Sequence, residues 1–139
     1  MTGSGALTLN RVTLMQLETG ARVTNGVLTM EGSSTITVGQ GGTGLEVSNN
    51  GKVEMMGGSI TGSGNGSTGT GVEMEGTADV TLTNVDVLNV QKGVEMRGGT
   101  LTVNGKSKIK VVGGGVGLNV TGSGNVVMTG TLTITGRGG

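Results

Sequence analysis

The chain repeats itself with a period of 73 residues, and this repeat limits the folds open to it more than any other feature. A shift by that distance aligns residues 7–57 with residues 80–130 without a gap, and 20 of the 51 aligned positions are identical. The identities fall mainly on glycines and on apolar residues that alternate with polar ones, as in Leu45/Leu118 and Val47/Val120. Such self-similarity predicts equivalent units stacked on one another.

A finer period lies inside the repeat. Each unit begins with a glycine, at Gly20, Gly44, Gly71, Gly93 and Gly117, so the units are 22 to 27 residues long. Apolar residues recur at once after the glycine, again 8 or 9 residues after it, and again 15 or 16 residues after it. The predicted inward columns are Ala21/Val23, Leu45/Val47, Val72/Met74, Val94/Met96 and Leu118/Val120; Leu28/Met30, Val53/Met55, Val80/Leu82, Leu101/Val103 and Val126/Met128; and Ile36/Val38, Ile60, Val87, Ile109/Val111 and Leu132/Ile134.

Three short strands cannot bury a core alone, so each must stack on the like strand of the next unit. The sequence therefore predicts an all-β fold, a three-sheet, right-handed parallel β-helix of about five and a half coils. A single domain is expected over residues 1–139, with a partial coil over residues 1–19.

The composition agrees with strands. Val, Ile and Thr occupy 45 positions, and no window has the spacing of an amphipathic helix. The methionines at inward positions are interpreted as core filler rather than as a metal or redox site. The 32 glycines are expected to provide positive φ at the turns.

Charge and residue types exclude several functions. Nine basic and nine acidic side chains cancel, whereas a nucleic-acid partner requires a basic surplus. The chain has no Cys, His or aromatic residue, so we expect no cofactor, no metal site and no enzyme activity. It has neither an apolar run long enough for membrane insertion nor a signal-peptide pattern, so any export signal is expected to have been removed.

A column of carboxylates keeps one enzymatic alternative open. Glu46, Glu73 and Glu95 are predicted to face outward on successive coils, between Arg22 and Asn119. A carbohydrate-active β-helix fragment would need such carboxylates to converge beside a groove. We favour a solvated charged face, with three ion pairs between coils: Arg22 with Glu46, Glu75 with Arg97, and Asp86 with Lys108.

Thr-x-Thr words raise a further alternative, an ice-binding solenoid. The predicted register divides these words between two sheets, so no regular threonine array forms. Thr29, Thr81 and Thr102 fall in the second column, whereas Thr35 and Thr131 fall in the third.

Two surfaces are candidates for contact with a partner. Lys106, Lys108 and Lys110 alternate along one strand and should all face outward, where they could meet sulfated glycans or acidic surfaces. The long turn of the 27-residue coil is the second candidate, through Asn65, Ser67 and Thr68.

The segments GVEMEGTADVTLTNVDVLNVQKGVEMRGGTLTVNGKSKI and GVGLNVTGSGNVVMTG resemble the β-helical repeats of autotransporter passenger domains, adhesins and virulence factors of Gram-negative bacteria. The resemblance implies a passenger segment that is secreted or displayed at the cell surface, outside the outer membrane. It also implies adhesion to a host-cell surface protein or glycan. Because both ends of a cut solenoid expose open coils, we also expect end-to-end self-association.

Overall fold

A computed structural model describes residues 5–62 and 68–136, and within these ranges the chain forms thirteen strands and no helix. The strands are β1 (Ala6–Asn10), β2 (Thr13–Val23), β3 (Val27–Glu31), β4 (Thr35–Val47), β5 (Lys52–Met56), β6 (Ser59–Gly62), β7 (Thr70–Met74), β8 (Asp79–Thr83), β9 (Asp86–Met96), β10 (Thr100–Asn104), β11 (Lys106–Val120), β12 (Asn125–Met128) and β13 (Thr131–Gly136). All strand pairs are parallel, so the predicted solenoid of stacked coils is confirmed, with about five turns.

The first sheet contains the second strand of every coil, in the order β1-β3-β5-β8-β10-β12. Its register is unbroken. Leu28 pairs with Val53, Val53 with Val80, and Val80 with Leu101. The predicted second column of inward residues is therefore confirmed residue by residue.

The second sheet joins the third and first columns. Its order is β13-β11-β9-β6-β4-β2, and β7 pairs with β4 and β9. Long strands such as β11 run from the third column of one coil into the first column of the next, with register shifts at the Gly-rich corner. The three predicted columns thus form two hydrogen-bonded sheets, because these corners keep their backbone pairing.

The three columns enclose one continuous apolar core. Met30, Met55, Met74 and Met96 are fully buried, which confirms their role as core filler. Met128 is 51% exposed, because the last described coil has no neighbour above it. Two serines belong to this core. Ser34 and Ser107, equivalent in the 73-residue repeat, accept backbone N–H groups of Val12 at 3.0 Å and of Val85 at 3.1 Å.

The glycines that begin the coils have a different role from the one expected. Positive φ occurs at turn glycines such as Gly26 and Gly99, but not at Gly20, Gly44, Gly71, Gly93 or Gly117. A Cβ on Gly71 would lie 2.6 Å from the carbonyl oxygen of Gly93 and 2.5 Å from a methyl group of Val87. The same close approach recurs at Gly20, Gly44 and Gly93. These positions require glycine because successive coils touch there through the backbone.

Candidate functional site

The predicted lysine stripe, defined here as Lys106, Lys108 and Lys110, lies on β11 and is exposed. The residues between the lysines, Ser107 and Ile109, are buried, so the alternation of a strand places all three ammonium groups on one outer face. Neighbouring lysines on such a face are about 7 Å apart along the strand. The side chain of Asn84, in a positive-φ turn, accepts the backbone N–H of Lys106 at 2.8 Å and so helps to fix the start of the strand.

The lysine stripe differs from the other cations in its partners. Arg22, Lys52, Lys92 and Arg97 all form ion pairs with glutamates. Within residues 5–62 and 68–136, no carboxylate forms an ion pair with the lysine stripe. Asp86 is the register partner of Lys108, as predicted, but the two charged groups are not in ion-pair contact. The stripe is therefore a positively charged surface available to an external anion.

A surface groove runs along the lysine stripe. One part has a volume of about 800 Å³ and is lined by Leu88, Asn89, Lys110, Val111, Val112, Thr135 and Gly136. An adjoining part of about 450 Å³ is lined by Asp86, Leu88, Lys108, Lys110, Thr133 and Thr135. Threonine hydroxyls on β13 and lysine ammonium groups on β11 thus border the same groove, an arrangement suited to hydrogen bonding with an anionic, hydroxyl-rich ligand.

A bulge shapes one wall of this groove. Leu88 pairs with Lys110 and Val90 with Val111, so Asn89 is an extra residue on β9. Asn89 has a φ of 56°, and its side-chain amide donates to the carbonyl oxygen of Gly62 at 2.8 Å. The hydropathy pattern does not signal this bulge, although an asparagine is a residue that tolerates positive φ.

The long turn is only partly described. Asn65 and Ser67 lie outside the described residues, whereas Thr68 is exposed. The backbone N–H and the hydroxyl of Thr68 contact the side-chain oxygen of Gln40 at 3.1 and 3.3 Å. Gln40 belongs to β4, and β6 and β9 separate β4 from β11 in the sheet order. The structure therefore does not bring Thr68 next to the lysine stripe.

The predicted carboxylate column is present in the expected register, with Arg22, Glu46, Glu73, Glu95 and Asn119 on successive strands. Like charges on neighbouring strands repel one another. Cations between them offset this repulsion: Arg97 lies 3.1 Å from Glu73 and 2.6 Å from Glu95, and Lys92 lies 2.8 Å from Glu95. The column is thus a neutralised charge network.

Two of the three predicted ion pairs form. Arg22 lies 3.3 Å from Glu46, and Arg97 lies 3.9 Å from Glu75. The guanidinium of Arg97 is closer to Glu73 and Glu95 than to Glu75, because it extends across the strand as well as along it.

The electrostatics of Glu95 bear on the enzymatic alternative. The hydrogen bond from Lys92 lowers the pKa of Glu95 below its ordinary value of 4.5, and the charges of Lys92 and Arg97 act in the same direction against burial, which raises it. A catalytic carboxylic acid needs the opposite, a raised pKa that keeps its proton near neutral pH. Glu95 is therefore a carboxylate that binds cations rather than a proton donor.

The threonine words follow the predicted register. On the outer face of the first sheet, Lys52 and Glu54 on β5 interrupt the line from Thr29 to Thr81. Thr131 and Thr133 pair instead with Lys106 and Lys108 in the second sheet.

No Asp, Glu, His or Cys cluster suited to a metal ion is found among residues 5–62 and 68–136. The described part of the chain also holds no helix with the length and apolarity needed to cross a lipid bilayer. Comparison with known proteins gives no match to a protein-family model, to a curated protein or to a solved structure.

Proposed function

We propose that this chain is a non-enzymatic structural and binding module, a rigid segment of a secreted or surface-displayed bacterial passenger domain. In this proposal the solenoid holds the lysine stripe at a fixed geometry, and the stripe contacts an anionic group of a host-cell surface. A sulfated glycan is the ligand class that best fits the stripe.

The unpaired lysine stripe is the observation that carries this proposal. Three ammonium groups on one strand, spaced by about 7 Å, can meet successive anionic groups of an extended polymer. The adjoining groove adds threonine hydroxyls, which can hydrogen-bond to sugar hydroxyls.

Rigidity is the second support. Parallel backbone pairing joins every described coil to the next, and β11 itself is paired on both sides, with β9 and with β13. Because a paired strand loses little further freedom on binding, the lysine spacing is set in advance and the entropy cost of association is lower. The resemblance to autotransporter passengers supports the surface location.

Heparin, a sulfated glycan, provides the test. We expect a variant with Lys106→Thr, Lys108→Thr and Lys110→Thr to bind heparin about tenfold more weakly, as three exposed charge contacts of about 0.5 kcal/mol each would require. Threonine preserves strand propensity and matches the neighbouring β13. Binding is measured by surface plasmon resonance at two salt concentrations.

The matched control removes the same charge elsewhere, with Arg11→Thr, Arg22→Thr and Lys52→Thr. Heparin affinity within about twofold of the parent is expected for this control, since screening weakens distant surface charges. Equal loss in both triple variants would show a net-charge effect and would contradict a localised contact face.

A further inference from the structure

The large apolar side chains that remain exposed are concentrated at the two ends of the solenoid. Among the eight found in the described ranges, only Met56 lies away from the terminal coils. The others are Leu7, Met15, Val116, Val120, Val127, Met128 and Ile134. At the N-terminal end a hollow of about 260 Å³ opens onto the core between Leu7, Leu14 and Ala21.

The strands at these ends lack the usual protection of a sheet edge. β1 and β12 are the outermost strands of the first sheet, and β13 is outermost in the second. None of the three contains a charged residue or a proline. Charged side chains and prolines are the common devices that prevent a free edge from pairing with another chain.

The 73-residue repeat shows which strand each edge can receive. The shift places β12 on β5 and β1 on β8, because Val53 matches Val126 and Leu9 matches Leu82. In the structure β5 pairs directly with β8. The C-terminal and N-terminal edges of the first sheet are therefore equivalent to the two sides of a junction already present inside the chain.

The second sheet repeats this relation. β13 ends in Ile134, Thr135 and Gly136, which stand against β11 as Ile60, Thr61 and Gly62 stand against β4. β6 in turn pairs with β9, with Ile60 beside Val87, and the repeat matches Val87 with Leu14 of β2. The edge at β13 thus corresponds to a surface that normally receives a strand like β2.

We propose that the C-terminal edge of one molecule receives the N-terminal edge of a second copy of this chain, in the register of the internal junction. Val126 and Met128 stack on Leu7 and Leu9 of the next copy, and Ile134 stacks on Leu14 of the next copy. No charged side chain lies in these paired strand segments. Because the two surfaces differ, the contact is heterologous and extends into a filament instead of closing as a dimer.

One column of this junction lacks a strand. Inside the chain, β7 lies between Leu45 of β4 and Val94 of β9. Between two copies the corresponding space lies between Leu118 and Ala21 of the next copy, and residues equivalent to β7 are not supplied by the 139-residue chain. Association is therefore carried by two of the three columns, and a tail that copies residues 66–74 after Gly139 is expected to strengthen it.

Blocked ends test the direction of assembly. The mass of the parent in sedimentation equilibrium is expected to rise with concentration from 13.6 kDa to more than twice that value. Leu7→Lys blocks one end and Met128→Lys the other, at positions exposed enough (46% and 51%) for lysine to reach water. Each variant alone should be monomeric, and a mixture of the two should form a 1:1 dimer. A concentration-independent parent, or a mixture that stays monomeric, would overturn the proposal.

A disulfide test does not depend on lysine at the edges. The chain has no cysteine, so Thr8→Cys combined with Val127→Cys introduces two outward thiols that the proposed register places on adjacent strands of two copies, about 4.8 Å apart. Oxidation should give a ladder of covalent oligomers. Thr8→Cys with Thr102→Cys is the control, because one strand then separates the thiols and the distance of about 9.6 Å exceeds the disulfide range. Equal cross-linking in both variants, or none in either, would contradict the register.

Discussion

Gly93→Ala tests whether the coils touch through the backbone at their first residue. A Cβ at this position would lie 2.4 Å from the carbonyl oxygen of Gly117 and 2.3 Å from the Cγ2 methyl of Ile109. Both distances are about 1 Å shorter than an ordinary close contact. The carbonyl belongs to the next coil and is held in the strand pairing of β11, so it cannot move without weakening that pairing.

The expected cost follows from this geometry. Overpacking a well-filled interior costs about 1 to 3 kcal/mol, because side chains leave their rotamers and backbone shifts. For a chain of 139 residues, an unfolding entropy of about 2.1 cal/mol/K per residue converts each kcal/mol into about 3 °C. We therefore expect Gly93→Ala to lower the melting temperature by about 3 to 10 °C.

Circular dichroism on heating provides the assay, with Gly5→Ala and Gly136→Ala as matched controls. A Cβ on Gly5 would meet nothing within 4 Å, and one on Gly136 would meet only a methyl group of Val111 at 3.8 Å. Both controls should stay within about 0.5 kcal/mol of the parent or be slightly more stable. If Gly93→Ala melted with the controls, the close contact between coils would be refuted.

Two further predictions concern the core and the charge network. Ile109→Asp should lower the free energy of unfolding in urea by about 3 kcal/mol or more, because residue 109 is 2% exposed, whereas Lys108→Asp on the outer face should change it by less than about 1 kcal/mol. Equal effects would contradict the alternation of β11. Arg97→Ala should cost about 1 kcal/mol at pH 7, a modest value because Arg97 is half exposed. Since the pKa of Glu95 is lowered from 4.5, the stability from its ionised form is present above that value and is lost as pH falls through its folded pKa. The difference between parent and Arg97→Ala should therefore shrink below about pH 4, and a difference independent of pH would count against the network.

The columns could be predicted from the sequence because a strand alternates its side chains with a period of two and the repeat fixes which strands are alike. Leu45, Val72 and Val94 stack as expected for this reason. The last coil shows the limit of counting. Ile134 pairs with Ile109, and Leu132 pairs with Ser107, so the third strand begins two residues earlier relative to its neighbour than the apolar pattern indicated.

Other features were beyond hydropathy. Whether the backbone stays paired through the Gly-rich corner of β11 depends on local hydrogen bonding, which the pattern of apolar residues does not report. The outward direction of the lysine stripe was predictable from the alternation in KSKIK. The groove beside it was not, because it depends on the bulge at Asn89 and on strands that are distant in sequence.

The most direct test of the lysine stripe as a contact face is a nuclear magnetic resonance titration of the isotope-labelled chain with a heparin tetrasaccharide. We predict chemical-shift changes confined to the amides of residues 106–110 and 131–135 and to the lysine ammonium groups of the stripe. Arg22, Lys52 and Arg97, whose charges already have partners, should remain unchanged. Shifts centred on those three cations, or on the outer face of the first sheet, would contradict the account.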